Sequence, residues 1–289
     1  MSWTVADIPD QTGRTIVVTG ANSGLGAATA AALATKGARV VLACRTVSKG
    51  ETAAARMTGD VSVSRLDLAD LASVRAFADA SGPIDVLVNN AGVMAVPKAR
   101  TADGFEMQIG TNFLGHFALT GLLLPKISSR VVTLSSGAHR IGKIDVDDLN
   151  WQRRRYQRWA AYGQSKLADL IFAFELQRRL AAHGSPVASI AAHPGYAATD
   201  LQSHTQSVQD RVMALGNRLI AQNADMGALP TLYAATSPEA VGGRYYGPDG
   251  LGELRGHPKQ VGCSGAARDE ALATRLWLLA EDLTGVSFP

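Results

Sequence analysis

The 289-residue chain is poor in cysteine, holding only Cys44 and Cys263. Two thiols cannot build a disulfide framework, so a reducing compartment is expected, with the cytoplasm as the address. These two cysteines and six histidines lie scattered, without metal-ligand spacing, and no metal site is expected. An excess of one charge is also lacking. The net charge is +3 and neither half is strongly basic, which argues against a nucleic-acid partner. The start, Met1-Ser-Trp-Thr-Val-Ala-Asp-Ile-Pro, has no basic segment followed by an apolar run, so neither a signal peptide nor a membrane anchor is expected. A long uncharged stretch, 107–125, approaches the length of a membrane span but contains Gln108, Thr111, Asn112, His116, Thr120 and three glycines. That many polar groups fit a buried helix of a globular protein better than one facing lipid.

What is present is a regular alternation. Short β-branched runs are expected as strands at Thr15–Thr19, Arg39–Ala43, Ser62–Leu66, Ile84–Asn89, Arg130–Ser135, Val187–Ala192 and Gly243–Gly247. Several are almost wholly apolar, as strands buried on both faces of a parallel sheet are. Helical stretches near 24–36, 47–57, 70–80, 103–125, 156–183, 225–236 and 267–283 separate or follow them. The pattern predicts an α/β fold, a doubly wound parallel sheet of about seven strands flanked by helices, in one domain over 1–289. Segments 140–158, 196–224 and 248–266 break the alternation and are expected to be substrate loops.

The first strand runs into Thr19-Gly-Ala-Asn-Ser-Gly-Leu-Gly26, and a helix follows at once. Gly20, Gly24 and Gly26 suit a tight turn that brings backbone close to a pyrophosphate at the helix N-terminus, a variant of the dinucleotide fingerprint. No Lys-Ser/Thr pair follows, so a Walker loop is excluded. Where an NAD-specific site would carry an acid after the second strand, this chain has Arg45. A guanidinium fork suits a 2′-phosphate, so NADP(H) is favoured over NAD(H). Asp67 ends the third strand; its carboxylate suits either the adenine amine or the cap of the helix near Asp70.

Tyr162-Gly-Gln-Ser-Lys166 sets a phenol and an ammonium on one helix face. A phenol ordinarily ionises near pH 10, about three units too high for acid–base work at neutrality. One cation at ~4–5 Å supplies roughly 3–4 kcal/mol, about what is needed. Ser135-Ser136 and Asn89-Asn-Ala-Gly92 end strands at the C-terminal sheet edge, where open α/β folds bind ligands.

With Asn112 and His193-Pro-Gly195 in the same order, these motifs resemble the short-chain dehydrogenases/reductases over nearly the whole chain. The resemblance implies a Rossmann-type fold, with Tyr162 as general acid/base and Ser136 on the substrate oxygen. It assigns Lys166 to the nicotinamide ribose and Asn112 to a water linking Lys166 to solvent. For the cofactor it implies Gly20, Asn22, Ser23, Gly24, Leu25 and Gly26 in the turn, then Arg45, Asp67 and Leu68. Asn89, Ala91 and Gly92 would line the cleft, and Pro194, Gly195 and Thr199 would hold the carboxamide, alongside Tyr162 and Lys166. Leu42-Ala-Cys-Arg45, Ser135-Ser-Gly-Ala-His139, Ala161-Tyr-Gly-Gln-Ser-Lys-Leu-Ala168 and Leu283-Thr-Gly-Val286 are similar to the retinol-dehydrogenase-like branch, which generally prefers NADP(H).

The expectation is therefore an oxidoreductase interconverting a carbonyl and an alcohol on a lipophilic small molecule. The alternatives are a cofactor-sensing protein without catalysis and a reductase of an activated C=C bond. A homodimer or homotetramer fits the family, and a monomer is not excluded. His139 and His193 are read as cleft-wall or structural residues. The Arg153–Arg158 cluster is read as a solvated helix start facing Asp145–Asp148, with attraction of an anionic substrate as the alternative. Gly163-Gln-Ser-Lys-Leu167 fails the fifth position of a serine-hydrolase elbow.

Overall fold

The computed structural model describes residues 2–196 and 223–289. Eight strands form one sheet: β1 (Thr15–Thr19), β2 (Arg39–Cys44), β3 (Asp60–Arg65), β4 (Ile84–Asn89), β5 (Ile127–Leu134), β6 (Ala188–Ala192), β7 (Tyr245–Pro248) and β8 (Pro258–Gln260). Their order is β3-β2-β1-β4-β5-β6-β7-β8. The first seven are parallel, and β8 returns antiparallel to β7. The helices are α1 (Gly24–Thr35), α2 (Val47–Ala54), α3 (Leu71–Ala80), α4 (Gly115–Leu123), α5 (Arg158–Ala182), α6 (Ala224–Thr236) and α7 (Glu270–Thr284).

The apolar strand runs follow from burial on both faces. Ile16 and Val18 of β1 pack with Leu33 of α1 and Leu229 and Leu232 of α6. Val17 between them joins the opposite layer with Leu87, Val131, Phe113, Phe117, Phe172 and Trp277. Aromatic rings knit that second layer, with Phe117 5.0 Å from Trp277 and 6.0 Å from Phe113 between centroids. The chain winds from β1 outward through β2 and β3, then returns to place β4 on the other side of β1. This reversal opens a crevice at the C-terminal ends of β1 and β4.

The sheet has one strand more than the seven expected. β8 lies inside 248–266, and its Pro-Lys-Gln sequence has no apolar alternation; only pairing with β7 makes it a strand. The seventh strand begins at Tyr245, after Gly243 turns the chain at φ +72. β3 starts at Asp60, where Arg39 pairs with Asp60 at 3.0 Å, and β5 starts at Ile127. The stretch 103–125 is not a single regular helix. An Arg100–Glu106 bridge closes a turn, and the carboxylate of Glu106 accepts from the N–H groups of Gln108 and Ile109, each at 2.9 Å. A π-helical turn, Ile109–Leu114, then precedes α4. Among the described residues no helix is long and apolar enough to cross a membrane.

Candidate active site

Around the glycine turn after β1 the exposed surface is backbone. Gly20 has φ +66, and a Cβ there would lie 2.9 Å from Cα and Cβ of Ala91. A Cβ on Gly26 would meet Asn90 Nδ2 at 2.5 Å and Gly20 O at 2.6 Å. Asn22, Ser23, Gly24 and Leu25 are half-buried around this turn. Ser23 occupies the N-cap of α1 but makes no side-chain cap, so its hydroxyl does not fill the place an anion would take. The bare cradle over a helix N-terminus fits a pyrophosphate. Arg45 follows β2 and is exposed, as is Lys49 on α2. Below them burial pushes the Cys44 thiol up to about 11. Asp67 Oδ1 accepts from Ala69 N at 3.0 Å, whereas Asp70 caps α3 through Ala72 N and Ser73 N. Leu68 is buried beside this turn.

The loop after β4 is tied to β1. Asn90 N and Ala91 N both donate to Thr19 Oγ1 at 2.9 Å, and Asn90 Nδ2 donates to Thr19 O at 2.7 Å. Asn89 turns its side chain inward, Nδ2 donating to Thr120 Oγ1 at 2.9 Å. Gly92 lets the loop lie against Asn112 and Lys166: a Cβ there would be 3.3 Å from Asn112 Oδ1 and 3.7 Å from Lys166 Nζ. The Asn112 amide pairs with Val93 in both directions, accepting from its N at 2.8 Å and donating to its O at 2.9 Å. It also donates to Ser165 Oγ at 2.9 Å. One side chain in a widened turn thus fastens the loop to α5, and π-turns often mark such sites.

The Asn112 carbonyl lies 2.7 Å from His116 Nδ1, and His116 Nε2 lies 2.9 Å from Thr19 Oγ1. Burial drives His116 down to about 3. The ring is therefore neutral, and because a carbonyl only accepts, its proton sits on Nδ1 and Nε2 accepts from the Thr19 hydroxyl. A directed chain runs from the loop after β4 through Thr19 and His116 to Asn112.

Tyr162 and Lys166 stand one turn apart on α5, 6% and 5% exposed. The 3-10 turn Gly137–Ile141 that follows Ser136 rides directly on this helix. Gly163 approaches it so closely that a Cβ would lie 3.0 Å from Ala138 O. Ser135 Oγ donates to Lys166 O at 2.7 Å, fixing β5 to α5. Ser136 Oγ accepts from Ala138 N at 3.2 Å. Lys166 Nζ donates to Leu134 O at 2.9 Å and to Asp169 Oδ2 at 2.8 Å. Burial works against the Lys166 ammonium, but the Asp169 carboxylate and the Tyr162 phenol outweigh it and hold its pKa above the ordinary value. Burial pushes the Asp169 carboxyl up to about 6, with Lys166 pulling the other way.

On the far wall, His193 Nδ1 accepts from Gly195 N at 3.2 Å, and Nε2 lies 3.2 Å from Glu253 Oε2. Burial lowers His193 to about 4 despite Glu253. Tyr196 N donates to Leu254 O at 2.7 Å, so the Pro194–Gly195 turn is tied to segment 248–256. Thr199 and most of 196–224 lie outside the described residues. In 140–158, Arg154 stacks 3.9 Å over the Trp151 ring, lies 3.3 Å from Asp148 and donates to Gln164 at 2.6 Å. Arg154 faces the acids of its own loop. His139 is buried, its Nδ1 2.7 Å from Ser136 O.

Thr19, Asn90 and Ser165 stand in the sequence motifs without an assigned role, and His116 and Asp169 are not singled out there as candidate site residues. Only spacing hinted at these last two: His116 lies four residues after Asn112, and Asp169 three after Lys166.

A family model described as short chain dehydrogenase matches residues 14–210. The chain belongs to the short-chain dehydrogenase family. As a short-chain dehydrogenase it is an NAD(P)-binding oxidoreductase acting on alcohols and carbonyls. Human retinol dehydrogenase 13 is 44% identical, the match covering 96% of this chain and 86% of that protein. Mouse polyprenol dehydrogenase is 42% identical over the same shares. A crystal structure of an uncharacterized Mycobacterium paratuberculosis protein superposes with a TM-score of 0.88 at 53% identity, covering 100% of both chains.

Proposed function

We propose that this short-chain dehydrogenase prefers NADP(H) and interconverts a carbonyl and an alcohol on a lipophilic small molecule, with Tyr162 as general acid/base. The observation carrying this reading is the grouping of buried Tyr162, Lys166 and Asn112 with half-buried Ser136 at the mouth of the β1/β4 crevice. The Gly20–Gly26 cradle would take the pyrophosphate, Arg45 the 2′-phosphate, Lys166 the nicotinamide ribose and the Pro194–Gly195 turn the carboxamide. When bound, the cofactor supplies or accepts a hydride at the substrate carbon. Ser136, whose oxygen already accepts from Ala138 N, has its hydroxyl hydrogen to give to the substrate oxygen. Tyr162 passes a proton to that oxygen in reduction and removes it in oxidation.

Segments bordering the site support a lipophilic substrate. Ile141, Trp159, Leu251 and Leu254 are four of the six large apolar side chains exposed among the described residues. Ile141 ends the turn after Ser136, the Trp159 ring lies 6.2 Å from Tyr162, and Leu254 holds Tyr196. Retinol and polyprenol, named in the two relatives, are both alcohols with long apolar bodies, and an alcohol of that kind is the substrate class we favour. A cytoplasmic enzyme fits the two unpaired thiols.

The test follows cofactor absorbance when purified protein meets retinaldehyde and pooled aliphatic, aromatic and steroid-like carbonyls, with NADPH and NADH side by side. Turnover with NADPH well above NADH is expected, with alcohols as products. Faster turnover with NADH would overturn the cofactor preference. A saturated carbonyl as product from an enone would move the activity to the C=C bond. NADPH binding by fluorescence without any turnover would favour a cofactor-sensing protein.

A further inference from the structure

Lys166 has a partner that the proton-transfer scheme above does not use. The Asp169 carboxylate lies 2.8 Å from Lys166 Nζ, one turn further along α5, and the residue is 1% exposed. Its other oxygen, Oδ1, has no hydrogen-bond partner among the described residues. A buried carboxylate with half its acceptor capacity unused is costly, and an ion pair in such a place is poor support for stability. An asparagine at this position would keep the hydrogen bond to Lys166 through its amide oxygen. What the carboxylate adds is a negative charge, set beside the cation that faces the proposed acid.

That charge has a direction. The titratable side chains bearing on Lys166 are Tyr162 and Asp169 from its own helix and His116 from the facing one. His116 is neutral through the working range of pH, as its buried pairing with Asn112 and Thr19 requires. Strand β5 contributes the Leu134 carbonyl, and the loop after β4 approaches with Gly92; neither is ionisable. With Asp169 ionised, the carboxylate offsets part of the ammonium's field at the phenol. Without it the ammonium acts alone and draws the proton off Tyr162 at lower pH.

We propose that Asp169 is a positioning residue that acts through Lys166 to keep the proton on Tyr162 at higher pH, so that at neutrality the site is set to donate a proton and reduce a carbonyl. The proposal rests on the roles given to Tyr162 and Lys166 above. In reduction the carbonyl carbon takes a hydride from the reduced cofactor and the carbonyl oxygen takes the Tyr162 proton, so the proton-bearing form is the working form. Asp169 leaves the overall equilibrium of the reaction untouched. It sets the pH range over which each direction runs.

The test is an ultraviolet difference titration of the phenolate, with Tyr162→Phe subtracted to isolate one of the six tyrosines. It is repeated in Asp169→Asn, with Asp169→Ser as a second variant should the first fail to fold. The expected result is a Tyr162 midpoint lower by about one pH unit once the carboxylate is gone. The basic limb of carbonyl reduction should move down by the same amount, and Asp169→Glu should restore it. A midpoint that coincides with, or lies above, that of the parent protein would overturn the proposal. So would a Tyr162 phenolate undetected below the pH of unfolding in every variant. Because the titration needs no substrate, it separates this inference from the functional one. Turnover surviving in Tyr162→Phe defeats the acid/base role, whereas an unmoved midpoint beside an inactive Tyr162→Phe defeats Asp169 alone.

Discussion

The two ends of the cleft are built by opposite means. At the proposed nucleotide end the surface is backbone: Gly20 and Gly26 leave no room for a Cβ, and Ser23 makes no cap. At the proposed reacting end the polar side chains Asn112, His116 and Ser165 are buried in one linked network, and Lys166 and Asp169 form a separate buried ion pair. The glycine turn of the first end should reject added bulk. The second should respond to changes in hydrogen bonding and charge. Four measurements sharpen or break that contrast.

The largest effect is expected from Tyr162→Phe, which removes one oxygen at the reacting end. Turnover should fall roughly 100- to 10,000-fold while NADPH affinity, read by fluorescence, stays nearly unchanged. Retained turnover would mean that another group supplies the proton. Next comes Gly20→Val at the other end, which meets Ala91 and a left-handed φ. Strain of about 1–3 kcal/mol should weaken NADPH binding roughly tenfold to a hundredfold. Unaltered affinity would show that the turn relaxes at no cost and that the contrast is overstated.

Arg45→Asp should lower NADPH affinity by roughly tenfold, the scale of one charge-assisted hydrogen bond, and leave NADH binding intact or improved. Equal losses for both cofactors would break the assignment of Arg45 to the 2′-phosphate.

The smallest effect is on stability in acid. His116 and His193, held at about 3 and about 4, stay neutral in the fold while the unfolded chain protonates both near pH 6.5. Their contribution is complete above that pH and is lost as pH falls toward the folded values. Asp169, raised to about 6, takes its proton earlier in the fold than in the unfolded chain and returns part of the loss below about pH 6. The balance is a loss of about 1 kcal/mol per pH unit near pH 5, visible as a falling Tm between pH 7 and 5. A flat Tm would mean that the imidazoles are charged in the fold.

The sequence showed most of what local spacing determines. Alternating apolar runs located the sheet and most of its helices, and a glycine turn between a strand and a helix located the cradle. Tyr162 and Lys166 were legible because four residues make one helical turn. β8 was not legible, because Pro258-Lys259-Gln260 becomes a strand only by pairing with Tyr246-Gly247-Pro248. The widened turn at 109–114 also lacked a local signal, since it depends on Glu106 capping the chain from within a separate turn. His116 and Asp169 sat at readable spacings, yet an imidazole or a carboxylate on a helix is ordinarily solvated. Their meaning came from burial, which is a property of the whole packing.

The antiparallel β8 also bears on how copies of the molecule could meet. It is three residues long, begins with a proline and pairs Pro258 opposite Pro248, so its outer rim offers few amide donors for a further strand. At the opposite rim, β3 is only half-buried and starts at the Arg39–Asp60 ion pair. Both rims are poor templates for strand addition, and a sheet continuous across subunits is disfavoured. Among the described residues, self-association is left to surfaces other than the sheet rims.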